Sequence, residues 1–382
     1  MATSFVDFAL RPSLFDALAT QGIAVPTEIQ SLAIPELLAD RSIVAVAETG
    51  SGKTLSYVLP ILHVLKAAEE GGSSVAEGRK PRAVVVVPNR DLGEQVAKVF
   101  KGLTHTTRLR VRPVLGGAGL AVARRNIAAP FEVLVATPGR LVQLLDAGEI
   151  LLDDVRFLVF DEADQMLDPT FLPQSVRVVQ ASAPNHQLAL FSATLPAALD
   201  TLVGQLFRSA PVQLRTRGAQ RMVRTLTTEN RKVIDGKRFD VLKALLAEGD
   251  GGSTLVFVNT REQCDKLAGQ LEAAGIPFAA YRGELEPAAR RANLASFREG
   301  TVRLLLATDL GARGLDVENV DRVVNYHLPS QPQSYLHRAG RTARAGRTGL
   351  VVNLVTERDE ALLEKLQKLE PPKRSPPQRR GR

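Results

Sequence analysis

The feature that most constrains this chain is a glycine-rich segment, residues 47–54, which reads Ala-Glu-Thr-Gly-Ser-Gly-Lys-Thr. An apolar run typical of a buried parallel strand precedes it at 43–46, and a helical pattern follows it at 55–65. A strand, a glycine-rich loop and Gly-Lys-Thr at a helix start form a cradle for phosphates, because glycine lets backbone N–H groups approach them closely. In such a cradle Lys53 reaches the β- and γ-phosphates and Thr54 binds Mg²⁺. The segment therefore predicts a nucleoside triphosphate site.

Length and composition are typical of a globular protein. The 382 residues suffice for two domains of ordinary size, and 45% of them are hydrophobic. No apolar run reaches the roughly 18 residues of a membrane span, and residues 1–10 lack the pattern of a secretory signal. The single cysteine, Cys264, excludes an internal disulfide and a cysteine-based metal site, and the five histidines show no ligand spacing. We expect a cytoplasmic protein that does not contact membranes.

The net charge of +8 is concentrated at the end of the sequence. Residues 368–382 contain six basic side chains and one acidic one, a balance of +5. This tail is rich in proline and arginine and lacks core-forming residues, so we expect disorder over 369–382. Charge alone indicates a polyanionic partner only weakly, because a solvated basic surface is the commoner meaning of such runs.

Apolar strands alternate with helical patterns along two stretches of the chain. Seven strands are predicted in the first stretch, at 43–46, 83–87, 111–115, 133–136, 157–160, 188–191 and 212–214. Four are predicted in the second, at 254–258, 304–307, 322–326 and 350–354. Such strands between helices predict two α/β domains, each with a parallel sheet covered by helices on both faces. The predicted organisation is a first domain at 1–214, a linker at 215–228, a second domain at 229–368 and the basic tail at 369–382.

Two further segments supply charges suited to phosphoryl transfer. The strand at 157–160 delivers two carboxylates at its end, of which Asp161 would hold Mg²⁺ and Glu162 would orient the attacking water. The second domain has no phosphate loop but contains an arginine-rich helical segment at 335–344. An arginine that reaches the nucleotide from a second domain can neutralise the charge that develops on the transferred phosphoryl group. The two segments predict nucleotide hydrolysis.

The ordered set of motifs resembles the DEAD-box family of ATP-dependent RNA helicases, which is named after the sequence Asp-Glu-Ala-Asp at 161–164. The match extends from Phe5 to about residue 356, and it includes Ala47 at the start of the phosphate loop. The resemblance implies two RecA-like domains, ATP as substrate, Mg²⁺ as cofactor and RNA as partner. It implies RNA-stimulated ATP hydrolysis that is coupled to local unwinding of short RNA duplexes or to remodelling of RNA–protein complexes.

The resemblance also assigns roles in the nucleotide site to individual residues. It implies that Phe5 stacks on adenine, that Gln30 hydrogen-bonds the base and that Asp316 contacts the ribose. The other nucleotide-binding residues are Thr49, Gly50, Ser51, Gly52, Lys53 and Thr54, and the metal ligands are Thr54 and Asp161. The catalytic residues are Lys53, Asp161, Glu162 and the two arginine fingers Arg341 and Arg344. The residues that couple hydrolysis to strand separation are Asp164, Ser192, Thr194 and His337.

The family's RNA contacts match nine positions here. They are Pro88, Arg90, Gly116, Gly117, Thr137, Gly139 and Arg140 in the first domain, and Arg290 and Thr308 in the second. Backbone N–H groups and arginines hold the sugar-phosphate chain without reading its sequence, and 2′-hydroxyls identify it as RNA. Two positions depart from the pattern. Asn89 replaces the usual threonine and keeps a polar group, whereas Pro287 replaces a glutamine and offers no side-chain donor.

Two other functions remain open at the level of the sequence. A helicase that acts on DNA or translocates along a duplex would share the ATP site, and Phe5 and Gln30 argue against it. An RNA clamp or annealing scaffold would bind ATP with little turnover, and the intact Glu162, Arg341 and Arg344 argue against that. The RNA substrate is not specified, so ribosome assembly, messenger decay and cold adaptation stay open. Ribosomal or RNA-decay proteins are candidate partners, and we expect a monomer.

Overall fold

The computed structural model describes residues 4–48, 50–73, 76–117, 119–166, 171–193, 203–217, 226–248, 252–281, 285–309, 317, 320–342 and 348–367. Several predicted functional residues lie outside the described residues, namely Thr49, Thr194, Asp316, Arg344 and the tail at 369–382. The chain divides into two compact units between residues 219 and 220. Within the described ranges, no helix combines the length and the apolar character that crossing a membrane requires.

The described part of the first unit is built on a seven-stranded sheet in the order β3-β4-β2-β5-β6-β1-β7, and every pairing is parallel. Its strands are β1 (Ile43–Val46), β2 (Ala83–Val86), β3 (Val111–Val114), β4 (Val133–Ala136), β5 (Phe157–Asp161), β6 (Gln187–Ser192) and β7 (Val212–Arg215). After a short 3-10 helix (Phe5–Phe8), its helices are α1 (Pro12–Thr20), α2 (Glu28–Leu38), α3 (Lys53–Glu70), α4 (Arg90–Thr107), α5 (Leu120–Ala128), α6 (Pro138–Asp146), α7 (Ala163–Met166) and α8 (Leu172–Ala181).

Both faces of this sheet are buried, because its strands are apolar at successive positions. In β1, Ile43 and Ala45 pack with side chains of α1 to α4 on one face. Val44 and Val46 pack with side chains of α5 to α8 on the other. Helices therefore cover both faces, and the loops that carry polar residues are confined to the ends of the strands.

The register places the functional loops at one edge of the sheet. Val46 of β1 is the partner of Ser192 of β6, and Phe191 of β6 is the partner of Asp161 of β5. The carboxyl ends of these three neighbouring strands therefore lie side by side. In an open parallel sheet this is where ligands bind.

The second unit has a parallel sheet of its own, with six strands in its described part in the order β10-β11-β9-β12-β13-β8. Its strands are β8 (Leu226–Lys232), β9 (Thr254–Val258), β10 (Ala279–Tyr281), β11 (Leu304–Thr308), β12 (Arg322–Asn325) and β13 (Gly349–Val355). Its helices are α9 (Arg238–Ala247), α10 (Arg261–Ala273), α11 (Pro287–Arg298), α12 (Pro332–Ala339) and α13 (Glu360–Gln367), with a 3-10 turn at Glu357–Asp359.

The structure confirms the predicted fold class, and each of the eleven predicted strands is present with its ends within one residue. Two strands of the second sheet, β8 and β10, were missed. Both are edge strands, and β8 reads Leu-Thr-Thr-Glu-Asn-Arg-Lys and is half exposed, so no apolar run marks it. The predicted linker at 215–228 was too long at both ends, because β7 includes Arg215 and β8 begins at Leu226.

Candidate functional site

The glycine-rich loop connects β1 to α3 at the carboxyl edge of the first sheet. Gly50 and Gly52 have φ angles of 81° and 91°, in the left-handed region that favours glycine. A Cβ atom at Gly52 would lie 2.5 Å from Gln30 Nε2, so a side chain at this position would displace the Gln30 amide. The Ser51 hydroxyl oxygen is buried and has no hydrogen-bond partner among the residues that the structure describes, which suits a ligand oxygen.

Lys53 begins α3, and its ammonium group folds back onto the loop. Nζ donates to the carbonyl oxygens of Ala47 at 2.7 Å and Glu48 at 3.0 Å. Burial lowers the pKa of Lys53, and the nearby Asp161 carboxylate opposes this effect. Because these hydrogen-bond partners are neutral, the buried ammonium group gains from an anionic ligand such as a phosphate.

Asp161 ends β5 and is 3% exposed. Its Oδ2 atom accepts a hydrogen bond from the Tyr57 hydroxyl at 2.7 Å, and its Oδ1 atom accepts one from the Glu162 backbone N–H at 2.9 Å. Burial raises the pKa of Asp161 to about 6, although the Tyr57 hydrogen bond and the charge of Lys53 both lower it. A cation at this carboxylate would favour the charged form.

Glu162 follows Asp161 in a strained backbone conformation. Its φ angle is 55°, in the left-handed region that non-glycine residues adopt at a cost of about 1–3 kcal/mol. Its carboxylate accepts a hydrogen bond from the side-chain amide of Gln165, which is buried on α7. The strained turn and the Gln165 amide together fix where the second carboxylate points.

The donor set at this edge fits Mg²⁺. The Thr54 hydroxyl and the Asp161 carboxylate are hard oxygen ligands, and Mg²⁺ is usually held by one or two such groups together with phosphate oxygens and water. Among the described residues there is no cluster of three or more histidine, cysteine, aspartate or glutamate side chains that could hold a metal unaided. Thr54 and Asp161 therefore fit an Mg²⁺ ion that also binds phosphate oxygens.

The two residues predicted to contact adenine lie in different surroundings. Gln30 accepts from the Thr27 N–H at 2.8 Å and donates to the Gly52 carbonyl at 3.1 Å, so its amide joins the start of α2 to the phosphate loop. Phe5 is 3% exposed and packs edge-on against Phe8, with ring centroids 5.9 Å apart. The Phe5 ring belongs to the core in this structure, and its stacking on a base stays a prediction.

Two of the predicted coupling residues, Ser192 and Asp164, lie at the edge of the first sheet that carries the phosphate loop. Ser192 is fully buried at the end of β6, and its carbonyl accepts the Ala47 N–H at 3.0 Å. Asp164 lies close enough to Lys53 for its charge to favour the ammonium form. The third, His337, belongs to the last turn of α12 in the second unit.

A surface groove of about 410 Å³ lies at the ends of β2, β3 and β4 in the first unit. Its lining includes six of the seven RNA contacts predicted for this domain, namely Pro88, Arg90, Gly116, Thr137, Gly139 and Arg140. Sequence reasoning missed Gln143, Phe171 and Gln174, which complete the groove. These three come from α6 and from the start of α8, and no local motif marks them.

Local hydrogen bonds shape the groove. Thr137 begins α6 as its N-cap and accepts the Gly116 N–H at 2.9 Å. Asn89 caps α4 by accepting the Leu92 N–H at 3.0 Å, so this departure from the family pattern performs the usual task of an N-cap residue. Gly117 has a φ angle of 75° and lies beside the Arg90 side chain. Two helix N-termini thus face the groove, where they favour anions.

The two RNA contacts predicted in the second unit lie on different elements, one on a helix and one at the end of a strand. Arg290 belongs to α11 and lies over the Tyr281 ring, with its guanidinium carbon 5.7 Å from the ring centroid. Thr308 is the last residue of β11. Pro287, the position that departs from the family pattern, is the first residue of α11.

Arg338 has a structural role that the sequence did not reveal. Its guanidinium group is 1% exposed and makes five hydrogen bonds. Two of these go to the carboxylate of Asp309, at 2.5 and 2.7 Å. The others go to Asn259 Oδ1 at 2.8 Å, Asn325 Oδ1 at 2.9 Å and the His327 carbonyl at 2.7 Å. Arginine has five N–H donors, so every one of them is paired.

Arg341, one of the two predicted arginine fingers, lies in the turn after α12 and is 6% exposed. Its carbonyl accepts the Val320 N–H at 3.3 Å, which anchors the turn. The structure therefore gives a position for Arg341, whereas Arg344 and Asp316 lie outside the residues it describes.

Comparison with known proteins places this site in a family. A model of DEAD/DEAH box helicases matches residues 27–202, and a model of the helicase conserved C-terminal domain matches residues 237–346. The DEAD-box ATP-dependent RNA helicase CshA of Bacillus subtilis is 32% identical over 367 residues, which cover 96% of this chain and 72% of that protein. The chain belongs to the DEAD-box helicase family.

Other members of the DEAD-box family differ from this chain in length. The probable ATP-dependent RNA helicase DDX46 of Homo sapiens is 34% identical over 93% of this chain, which spans only 34% of that relative.

Among solved structures, S. cerevisiae Dbp5 bound to RNA and ADP BeF3 matches with a TM-score of 0.85 and 28% identity, over 96% of this chain and 93% of that one. The likeness confirms the prediction of two RecA-like domains.

Proposed function

We propose that this DEAD-box chain is an RNA-stimulated ATPase that couples hydrolysis to local unwinding of short RNA duplexes or to remodelling of RNA–protein complexes. The observation that carries the proposal is the division of one sheet edge into two halves. β1, β5 and β6 end at the phosphate loop, the two carboxylates and Ser192. β2, β3 and β4 end at the groove with its two helix N-termini. A phosphate-hydrolysing site and a polyanion site thus share one rigid support.

In the nucleotide half, each side chain has a task that its surroundings favour. Lys53 binds the β- and γ-phosphates, since its buried ammonium group has neutral partners in the loop. Thr54 and Asp161 hold Mg²⁺, which when bound would neutralise charge on the transferred phosphoryl group. Glu162 accepts a hydrogen bond from the attacking water and takes its proton, because its strained turn holds the carboxylate in a defined direction.

The nucleotide that we propose is ATP. Gln30 uses one amide N–H and one carbonyl lone pair for Gly52 and Thr27, which leaves a second N–H and a second lone pair for a base. Adenine offers a donor and an acceptor side by side on its amino edge, whereas guanine presents a carbonyl oxygen there. The bound nucleotide of the Dbp5 structure is an adenine nucleotide, which supports the assignment.

In the RNA half, backbone N–H groups at the starts of α4 and α6 and the side chains of Arg90 and Arg140 bind phosphates. Such contacts position a strand without reading its bases, so the groove would accept RNA of many sequences. The Dbp5 structure contains RNA, and the curated relatives are named RNA helicases. Both facts favour RNA over DNA as the polymer.

The part of the chain after residue 226 completes the proposal with further groups. We assign Arg341 and Arg344 to charge neutralisation on the phosphoryl group, Asp316 to the ribose, His337 to coupling, and Arg290 and Thr308 to RNA. We further propose that the protein acts as a monomer in the cytoplasm, with ribosomal or RNA-decay proteins as its partners.

The test is ATP hydrolysis by the full chain with single-stranded RNA, with DNA of the same sequence and with no nucleic acid. We expect turnover to be stimulated by RNA at least tenfold more than by DNA, and a short RNA duplex to separate in the presence of ATP. Equal stimulation by DNA would favour the DNA helicase. ATP binding with no stimulated turnover would favour the RNA clamp. A groove variant, Arg140→Ala, should weaken RNA stimulation while it leaves ATP binding unchanged.

A further inference from the structure

Tyr57 is a buried tyrosine in the nucleotide site to which the proposed reaction gives no task. It lies on α3 one turn after Thr54, is 0% exposed, and donates its hydroxyl proton to Asp161 Oδ2 at 2.7 Å. Burial raises the pKa of Tyr57, and Thr54 lies close enough to the same hydroxyl to lower that pKa slightly. Tyr57 therefore lies beside both residues that we expect to bind Mg²⁺.

The ring of Tyr57 is packed in the core, which restricts the position of its hydroxyl. Its centroid is 5.2 Å from that of Phe191, at an interplanar angle of 57°. Phe191 on β6 is the register partner of Asp161 on β5, so two neighbouring strands of one sheet position the ring and the carboxylate. A phenylalanine ring would occupy the same space. Packing alone thus gives no reason to bury a hydroxyl, which costs free energy unless it is hydrogen-bonded.

The hydrogen bonds to Asp161 determine which of its lone pairs remain for a ligand. Oδ2 is held by Tyr57 and Oδ1 by the Glu162 N–H. A carboxylate has about four acceptor positions, so one direction at each oxygen is left. The terminal torsion of aspartate is broad, and a carboxylate held at one oxygen alone would rotate. Two donors hold it at both ends.

We propose that Tyr57 is a positioning residue for Mg²⁺: its hydroxyl holds the Asp161 carboxylate in the orientation in which it binds the ion beside Thr54. The inference rests on the proposed ATPase function and deepens it. Partners that orient metal ligands typically change metal affinity by about 10- to 100-fold when they are removed. Tyr57 would set the Mg²⁺ concentration that the enzyme needs, and would contribute little to binding of the metal-free nucleotide.

The experiment compares the full chain with Tyr57→Phe, which removes the hydroxyl and keeps the ring. The first readout is binding of a fluorescent ATP analogue in EDTA and across a Mg²⁺ series. The second is RNA-stimulated turnover across the same series. We expect the Mg²⁺ midpoint to rise about tenfold in both assays. Affinity in EDTA and turnover at saturating Mg²⁺ should stay within about twofold of the unmodified protein.

A matched control separates positioning from loss of a buried hydrogen bond. Tyr335 in the second unit is 1% exposed, and its hydroxyl accepts from Asn353 Nδ2 at 3.1 Å. Tyr335→Phe makes the same chemical change in the second unit, and its Mg²⁺ midpoint for analogue binding should equal that of the unmodified chain. Thermal unfolding in EDTA measures the stability cost of each change.

The outcomes distinguish this inference from the function on which it rests. An unchanged Mg²⁺ midpoint in Tyr57→Phe, or an equal shift in Tyr335→Phe, would overturn the positioning role and leave the ATPase proposal intact. Weaker binding of the analogue in EDTA would also overturn it, because the hydroxyl would then serve the nucleotide itself. Absence of RNA-stimulated turnover in the unmodified chain would refute the proposed function, while the Mg²⁺-dependent binding assay would still decide the role of Tyr57.

Discussion

The two units each bury a polar network, and the networks differ in how completely their charges are paired. In the second unit, all five donors of Arg338 are hydrogen-bonded, and two of them meet the carboxylate of Asp309. In the first unit, Asp161 has one donor at each oxygen and Lys53 is held by neutral carbonyls. A saturated network stabilises a fold, whereas a charge left with unused capacity is available for a ligand.

The largest effect is expected from breaking the saturated network. Arg338→Met leaves the Asp309 carboxylate and several buried oxygens without their donor, and loss of one partner of a buried pair costs about 3–5 kcal/mol. We expect the unfolding midpoint of the second unit to drop sharply in a thermal scan, while the first unit still binds a nucleotide analogue. Arg124→Met is the control, because its pair with Glu149 is exposed and surface pairs contribute little to stability. Equal losses would contradict the comparison.

The next effect concerns chemistry and leaves stability unchanged. Glu162→Gln keeps the shape of the side chain and its contact with Gln165 but cannot take a proton from water. Turnover should fall by about 100-fold or more, with ATP binding retained. RNA-stimulated phosphate release measures the turnover, and binding of a nucleotide analogue measures the affinity. Glu149→Gln, a change at an exposed pair, should alter neither quantity. Near-normal turnover in Glu162→Gln would remove this residue from its assigned role.

A third prediction uses pH to separate the two units. Burial, with a smaller effect from Arg238, lowers the pKa of His327 from 6.5 to about 4 in the second unit. Between those values the unfolded chain binds a proton that the folded unit refuses, so folding stability is lost as the pH falls from 6.5 towards 4. Because His327 is only half buried, we expect a loss of about 1–2 kcal/mol by urea unfolding of the second unit.

His327→Gln is the matched variant, since it keeps the carbonyl that Arg338 uses and removes the titrating ring. Its free energy of unfolding should vary less between pH 7 and pH 5 than that of the unmodified chain. The same pH dependence in both proteins would assign the acid sensitivity to other groups.

The smallest effect has the opposite sign. Asp161→Asn replaces a buried charge by an amide that can still accept from the Glu162 N–H and can donate to the Tyr57 hydroxyl. Because burial disfavours the Asp161 carboxylate, the variant should gain about 1 kcal/mol in free energy of unfolding, measured in EDTA at pH 7.5 without nucleotide. Destabilisation would mean that Asp161, like Arg338, belongs to a structural network.

The sequence was informative where a residue's local surroundings decide its role. The eleven predicted strands are apolar runs, which follows from burial on both faces of a sheet. Gly50, Gly52 and Lys53 were recognisable because a phosphate loop needs these residues at fixed spacing. The six groove residues were found through the family motifs alone.

The long-range contacts could not be predicted from the sequence. The five acceptors of Arg338 come from segments up to 79 residues away, and nothing near position 338 indicates that they converge. Tyr57 reads as one more apolar position of a buried helix until the structure places its hydroxyl at Asp161, 104 residues away. Phe5 packs edge-on against Phe8 in the core, and its stacking on the base stays a prediction.

The edge strand β8 has a mechanical consequence. It follows directly on the segment between the units and pairs in parallel with β13 over seven residues, from Leu226 opposite Gly349 to Lys232 opposite Val355. A pull on Leu226 that is directed along β8 would load this ladder of hydrogen bonds together, in shear, instead of opening the bonds one at a time. The Asn230 to Asn353 side-chain bond crosses the same pair of strands and adds to that resistance. The strand that the sequence hid is thus well placed to bear tension without detaching from its sheet.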